Sequence, residues 1–323
     1  MKRISIFLSI LSALIFISGA YVRSMWTPAP IPDVLPAPVL DEIAREGSVL
    51  PSPIDPSPSP ALLSTSSLGT IPIAITFPPL ETVCDYAVIA LWRNNLLKPD
   101  GTLRVTHLNK ARSCGTKVVV RLEGKTSDIA GVDGKGMDLS KFEDRINDFA
   151  GLLEPYVADG TILAHFTIDE PHDCKNDWGG TCPQARDVDE AGRISKTYWP
   201  GLQTMVNTSP AYAGGYTWAY TDIINFQYAF HKGALDSFLS TGVDVLSRGR
   251  IPSISWSIQA AQGGCSSFGN CAMTPDQVRS VGTSMCQTGQ GRFVSFFSYR
   301  DDLMTDEMRG AIDAIRLACR DSR

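Results

Sequence analysis

The chain has 323 residues, 43% of them hydrophobic and 20% charged, which suits a globular protein with a large core and excludes a wholly disordered one. Lys and Arg number 29 against 34 Asp and Glu, and the net charge of −5 comes with no basic stripe, which argues against nucleic acid as a partner. Eight cysteines make an even number, as an oxidised framework requires.

At the N-terminus Lys2 and Arg3 precede an apolar run from Ile4 to Ile17, and Ser18-Gly19-Ala20 supplies small residues where a signal peptidase would cut. This is an export signal, so a secreted or otherwise extracytoplasmic protein is expected. The run extends to Val22 if it is kept as a membrane anchor, and residues 1–22 remain open to both readings. Residues 23–68 hold ten of the 21 prolines and read as an extended, polyproline-rich linker, with a short helix around Val39 to Arg45.

From Gly69 onward short apolar strands alternate with helical stretches. The expected strands are Ile71 to Phe77, Asp85 to Trp92, Lys117 to Leu122, Thr161 to Ile168, Leu202 to Asn207, Asp222 to Tyr228, Ile251 to Ile258 and Arg292 to Ser298. The clearest helix runs from Leu139 to Tyr156, where Leu139, Phe142, Ile146, Phe149 and Leu153 recur at helical spacing. Others span Leu103 to Cys114, Gln184 to Trp199, Ala234 to Leu246, Thr274 to Thr288 and Thr305 to Cys319, while Pro78 to Cys84 is too short for a full helix. Eight strands over about 250 residues point to an α/β fold, a (β/α)8 TIM-type barrel with an abbreviated first connection, occupying residues 69–323. A doubly wound open sheet is the rival. No G-x-G-x-x-G follows any strand, so no dinucleotide or other cofactor is expected.

Strand alternation predicts which faces point inward. The polar faces carry Arg121 and Glu123; His165, Thr167 and Asp169; Asn225 and Gln227; and Ser253, Ser255, Ser257 and Gln259. Their apolar opposites, such as Ile162, Ala164, Phe166 and Ile168, should pack on helices. The cysteines sort by barrel end. Cys84 pairs with Cys114, Cys174 with Cys182, Cys265 with Cys271 and Cys286 with Cys319 if each takes its nearest neighbour, which closes short loops without crossing.

The fourth strand ends in Asp169 and Glu170, stopped by Pro171, which cannot extend the ladder. Two adjacent carboxylates at a C-terminal strand tip are costly to bring together, and barrel active sites lie at those tips. The neighbouring tips offer Glu123 and Asp301 as further carboxylates, and Arg121, Trp92, His172, Asn207, Gln227, Gln259 and Tyr299 as binding groups. Trp178 lies in the loop after the fourth strand as a further ring for substrate. Carboxylates, amides and flat aromatic rings together suit sugar chemistry, in which rings stack on sugar faces and a carboxylic acid protonates the leaving oxygen. Each residue also has a structural use: the acids can pair with Arg121 or Arg93, His172 and Asp173 can cap a turn, and Trp92 and Trp256 can simply pack. Adjacent strand residues point to opposite faces, so Asp169 and Glu170 share the site only if the backbone turns at the strand end.

The run I-D-E-P at 168–171 resembles the N-E-P tip of the large retaining glycosidase clan with (β/α)8 barrels. That resemblance implies an acid/base role for Glu170, with Asp169 standing where the clan has Asn. The longer A-H-F-T-I-D-E-P-H-D also resembles a family of secreted bacterial barrel proteins, over most of the residues after Gly69, and that likeness carries no function with it. The clan's nucleophile is a Glu at the seventh tip, where this chain has Ser257, Ile258 and Gln259. Either Asp301 or Glu123 replaces it, or Asp169 and Glu170 resemble the Asp-Glu pairs of substrate-assisted hexosaminidases. The expected activity is glycoside hydrolysis with a carbohydrate as the partner. The alternatives are a glycan-binding barrel without turnover and a metal-dependent barrel using His165, Asp169, Glu170, His172 or Asp173.

Overall fold

The computed structural model describes residues 72–321, apart from 77, 97–104, 125, 132–133, 135, 177, 268–270 and 298–300. The expected export signal, the proline-rich linker and Tyr299 therefore lie outside the described residues.

Eight parallel strands close into a barrel in sequence order. They are β1 (Ile73–Thr76), β2 (Val88–Trp92), β3 (Lys117–Arg121), β4 (Ile162–Asp169), β5 (Gln203–Asn207), β6 (Ile223–Tyr228), β7 (Ile254–Gln259) and β8 (Val294–Phe297). The ring closes where β1 pairs with β8, Ile73 opposite Val294. Among the described residues six long helices cover the outside: α1 (Thr106–Cys114), α2 (Leu139–Ala158), α3 (Ala185–Tyr198), α4 (Leu235–Ser247), α5 (Pro275–Gln287) and α6 (Asp306–Asp321). None of the described helices is long and apolar enough to cross a membrane.

The elements form where local chemistry favours them. Asp138 caps α2 by accepting from the Ser140 and Lys141 amides, and Phe142, Ile146, Phe149, Leu153 and Tyr156 bury one stripe against the barrel. Helix α5 starts in a capping box between Thr274 and Gln277 with Pro275 in the first turn. Gly115 ends α1 at φ 76°, a left-handed value that glycine accepts without strain. The first connection carries only a 3₁₀ turn over Leu80–Asp85, which delays β2 to Val88 instead of Asp85.

Two apolar layers result. The larger lies between strands and helices; a smaller one fills the barrel floor with Ala74, Val88, Val119, Ala164, Met205, Ile223 and Phe293. All four expected cysteine pairs stand at bonding distance, with Cα–Cα separations of 5.8, 4.4, 5.6 and 4.7 Å in chain order.

Strand β4 departs from simple alternation. Its pairing slips against β3 between Val118 and Val119, and against β5 between Phe166 and Ile168. Each slip inserts an extra residue, Leu163 in the first and Thr167 in the second. Ala164 and Phe166 consequently join the barrel interior, whereas Ile162 and Ile168 pack into the helix layer. His165, expected inside, points outward: its Nδ1 lies 2.8 Å from the Ser195 hydroxyl of α3, and its ring sits between Phe142 and Trp199. The second slip returns Asp169 to the interior.

Candidate active site

The C-terminal strand ends open into a cavity. Its floor is apolar, from Ala74, Ala90, Val119, Met205 and Phe293. Its upper wall carries Trp92, Arg121, Asp169, Asn207, Asn225, Gln227, Ser257 and Phe297. Small floor residues leave the space, and the polar residues ring its mouth from β3 to β7.

A hydrogen-bonded chain crosses four strands along one side of this mouth. The Arg121 guanidinium donates to Glu123 through Nε and to Asp169 Oδ2 through NH1 at 2.7 Å. Asn207 Nδ2 donates to the other oxygen of Asp169 at 2.8 Å, and Asn225 Nδ2 to Asn207 Oδ1 at 2.9 Å. Arg121 also stacks over the Trp92 ring, 4.7 Å from its centroid, and Trp92 in turn meets Phe297 at 5.4 Å. Buried charges of opposite sign hold one another here, as burial requires.

The electrostatics divide the acids. Glu123 is 1% exposed and lies behind Arg121, outside the cavity lining. Burial pushes its carboxyl up to about 7 although the Arg121 charge pulls the other way. Burial also works against the Arg121 charge, but Glu123 and Asp169 outweigh it and hold the guanidinium protonated. Asp169 lines the cavity with both oxygens already accepting one bond each.

Glu170 follows Asp169 through a backbone reversal and is not among the residues that line the cavity. Its φ is 42°, the one positive value at a non-glycine among the described residues. Its amide is bonded to the Asn207 carbonyl at 2.9 Å, and its own carbonyl accepts from the Asp173 amide at 2.9 Å. The side chain is 28% exposed, with Oε1 3.6 Å from Lys232 Nζ. Lys232, which also donates to the Gln227 carbonyl at 3.0 Å, follows β6 and was not foreseen; its one signal was being the first cation past that strand tip.

Several expected positions fall elsewhere. Trp178 is not a substrate ring: it is 1% exposed within the helix-side core, and its indole N–H donates to the Glu170 carbonyl at 3.2 Å. Gln259 ends β7 but does not line the cavity, where Ser257 does. Asp301 begins a short 3₁₀ turn, Asp301–Leu303, and its side chain lies outside the described residues. His172 bonds the Thr208 hydroxyl at 3.1 Å beside Tyr212, and burial, helped by Lys232, lowers its pKa to about 4. Phe166 and Phe297 line the site although strand parity hid the first and a one-residue offset the second.

The ligand set for a metal does not assemble. His165 faces α3, His172 is engaged with Thr208, and Asp173 binds Asn176. Among the described residues no group of three or more His, Cys, Asp or Glu is placed to hold an ion.

No family model matches the chain, and no curated protein matches it. Among solved structures, a psychrophilic glycoside hydrolase family 10 endo-β-1,4-xylanase aligns with a TM-score of 0.51 at 12% identity, covering 76% of this chain and 96% of that one. A xylanase from Paenibacillus barcinonensis, in complex with a conduramine derivative, aligns with a TM-score of 0.50 at 10% identity, covering 76% and 89%. The likeness is one of fold. It gives this chain the (β/α)8 barrel that glycoside hydrolases share with many other proteins.

Proposed function

We propose that the protein is an exported glycoside hydrolase in which Glu170 is the general acid/base and Asp169 a fixed carboxylate inside the cavity. The observation that supports this reading is the reversal at Glu170, directly after the cavity-lining Asp169, with the Glu170 carboxylate 3.6 Å from Lys232 beyond the β6 tip. A strained backbone at a strand tip is a feature that functional sites retain. Four cystine pairs and the N-terminal export pattern fit an oxidising compartment outside the cytoplasm.

In the reaction, the Glu170 carboxyl proton passes to the glycosidic oxygen as the bond to the anomeric carbon breaks. A water then adds its oxygen to that carbon and returns a proton to Glu170. Asp169 retains a lone pair on each oxygen beyond the bonds from Arg121 and Asn207, so it can accept an N–H from a substrate acetamido group. In that route the acetamido oxygen would attack the anomeric carbon as the glycosidic bond breaks, and the water would then add to that carbon and release the acetamido oxygen, which dispenses with a protein nucleophile at the β7 tip, where Gln259 stands.

Aryl glycosides, N-acetylhexosaminides among them, test this with wild type and Glu170→Gln. Loss of the acid should lower kcat about 10²–10⁴-fold for leaving groups that need a proton and much less for dinitrophenyl leaving groups that do not. Turnover unchanged by the substitution would remove the assigned role. A second reading has its own support: Arg121 already pairs with both Asp169 and Glu123, which leaves Glu170 without a matched second acid among the described residues. A glycan-binding barrel would then show array binding and no hydrolysis of any glycoside.

A further inference from the structure

The buried tryptophan behind the acid has a use that packing alone does not explain. The loop after β4 leaves the strand at Asp169, turns at Glu170 and returns at Ala185 to start α3. Within it, the Cys174 carbonyl accepts from the amides of Trp178 at 3.2 Å and Gly180 at 2.7 Å, and Cys174 is bonded to Cys182. This knot places the Trp178 ring in the helix-side core and its Nε1–H 3.2 Å from the Glu170 carbonyl. The same carbonyl takes the Asp173 amide at 2.9 Å. A left-handed glutamate relaxes unless its surroundings over-determine it, and here its amide and its carbonyl are both engaged.

We propose that Trp178 is a positioning residue for Glu170, and that the Cys174–Cys182 bond is the clamp that keeps the indole in place. The acid is then presented at the mouth only in the oxidised chain. This rests on the glycosidase reading for its consequence in catalysis, but not for the positioning itself.

The experiment measures amide hydrogen exchange at Asp173 in the full chain, together with hydrolysis of the most responsive aryl glycoside. Trp178→Phe keeps an aromatic ring and removes the N–H; Cys174→Ser/Cys182→Ser removes the clamp and leaves the indole. Each change should speed Asp173 exchange about 5- to 10-fold, the factor one net hydrogen bond accounts for, while amides within β5 and β6 stay as protected as before. Hydrolysis should lose kcat by at least that factor with KM nearly constant, because a misplaced acid affects the transition state more than binding. Faster Asp173 exchange in chains that hydrolyse nothing, wild type included, supports the positioning and removes the glycosidase reading. Unchanged Asp173 exchange in both variants overturns the proposal and leaves Trp178 as a core ring only. If Trp178→Phe fails to fold, the cysteine variant decides by the same criterion.

Discussion

At Glu170 the backbone and the side chain make opposite demands. A left-handed residue with a Cβ costs about 1–2 kcal/mol, and glycine escapes that cost but loses about 0.5–1 kcal/mol through its freer unfolded chain. Glu170→Gly should therefore unfold at higher urea than Glu170→Ala, by about 1 kcal/mol, since both lose the carboxylate and its Lys232 neighbour. Equal stabilities would mean that the turn holds no strain. Glu123 makes a second residue-level case. Its folded pKa of about 7 lies above the ordinary 4.5, so between those values the folded chain holds more protons than the unfolded one. The stability it contributes is complete below pH 4.5 and lost as pH climbs through 7. Glu123→Gln does not titrate, and should lose less stability than wild type between pH 5 and 8 in parallel urea titrations. His165 and His172 act with the opposite sign: their folded values of about 3 and 4 lie below 6.5, so the stability tied to them is present above 6.5 and drains away toward acid.

At the scale of elements, the six long helices and eight strands were readable because each carries its period openly, as α2 does with Phe142, Ile146, Phe149 and Leu153. Strand β4 was not, because a bulge has no residue signature. Leu163 and Thr167 look like ordinary strand residues, yet each absorbs one step of the pleat and reverses every face beyond it. His165 was lost to the site for that reason, and Asp169 kept because the second slip undid the first. Trp178 was misplaced because a loop residue's burial depends on the knot around it, here Cys174–Cys182, which spacing alone does not orient. Pro171 marked where the ladder ends, and β4 stops at Asp169, but the run 168–171 said nothing of Lys232. Helix-to-barrel contact is equally specific. In α4, a Cβ on Gly242 would sit 2.6 Å from the Trp256 ring and 3.0 Å from Phe226, both fully buried. Gly242→Ala would gain about 1 kcal/mol of helix propensity. Overpacking a rigid ring costs about 1–3 kcal/mol and should outweigh that gain in chemical denaturation.

For the molecule as a whole, a closed barrel has no free edge, so its stability depends on the first and last elements finding each other across the full chain. Strand β1 pairs with β8, and α6 buries Met308, Ala311, Ile312, Ile315 and Cys319 beside α5. The cystines divide this task unequally. Cys84–Cys114 and Cys286–Cys319 close loops of 30 and 33 residues, while Cys174–Cys182 and Cys265–Cys271 close only 8 and 6. Loop-closure entropy then assigns about 3.5 kcal/mol to each long loop and roughly 2–2.5 kcal/mol to each short one. Replacing each pair by alanine, one pair at a time, should reproduce that order in urea at one temperature, with Cys286–Cys319 costing about 1–1.5 kcal/mol more than Cys265–Cys271. An equal cost for all four would mean that the bridges act through native packing at their own ends, and not by restricting the unfolded chain. The reverse order, with Cys174–Cys182 the largest, would place the stability of the molecule in the loop that carries Glu170.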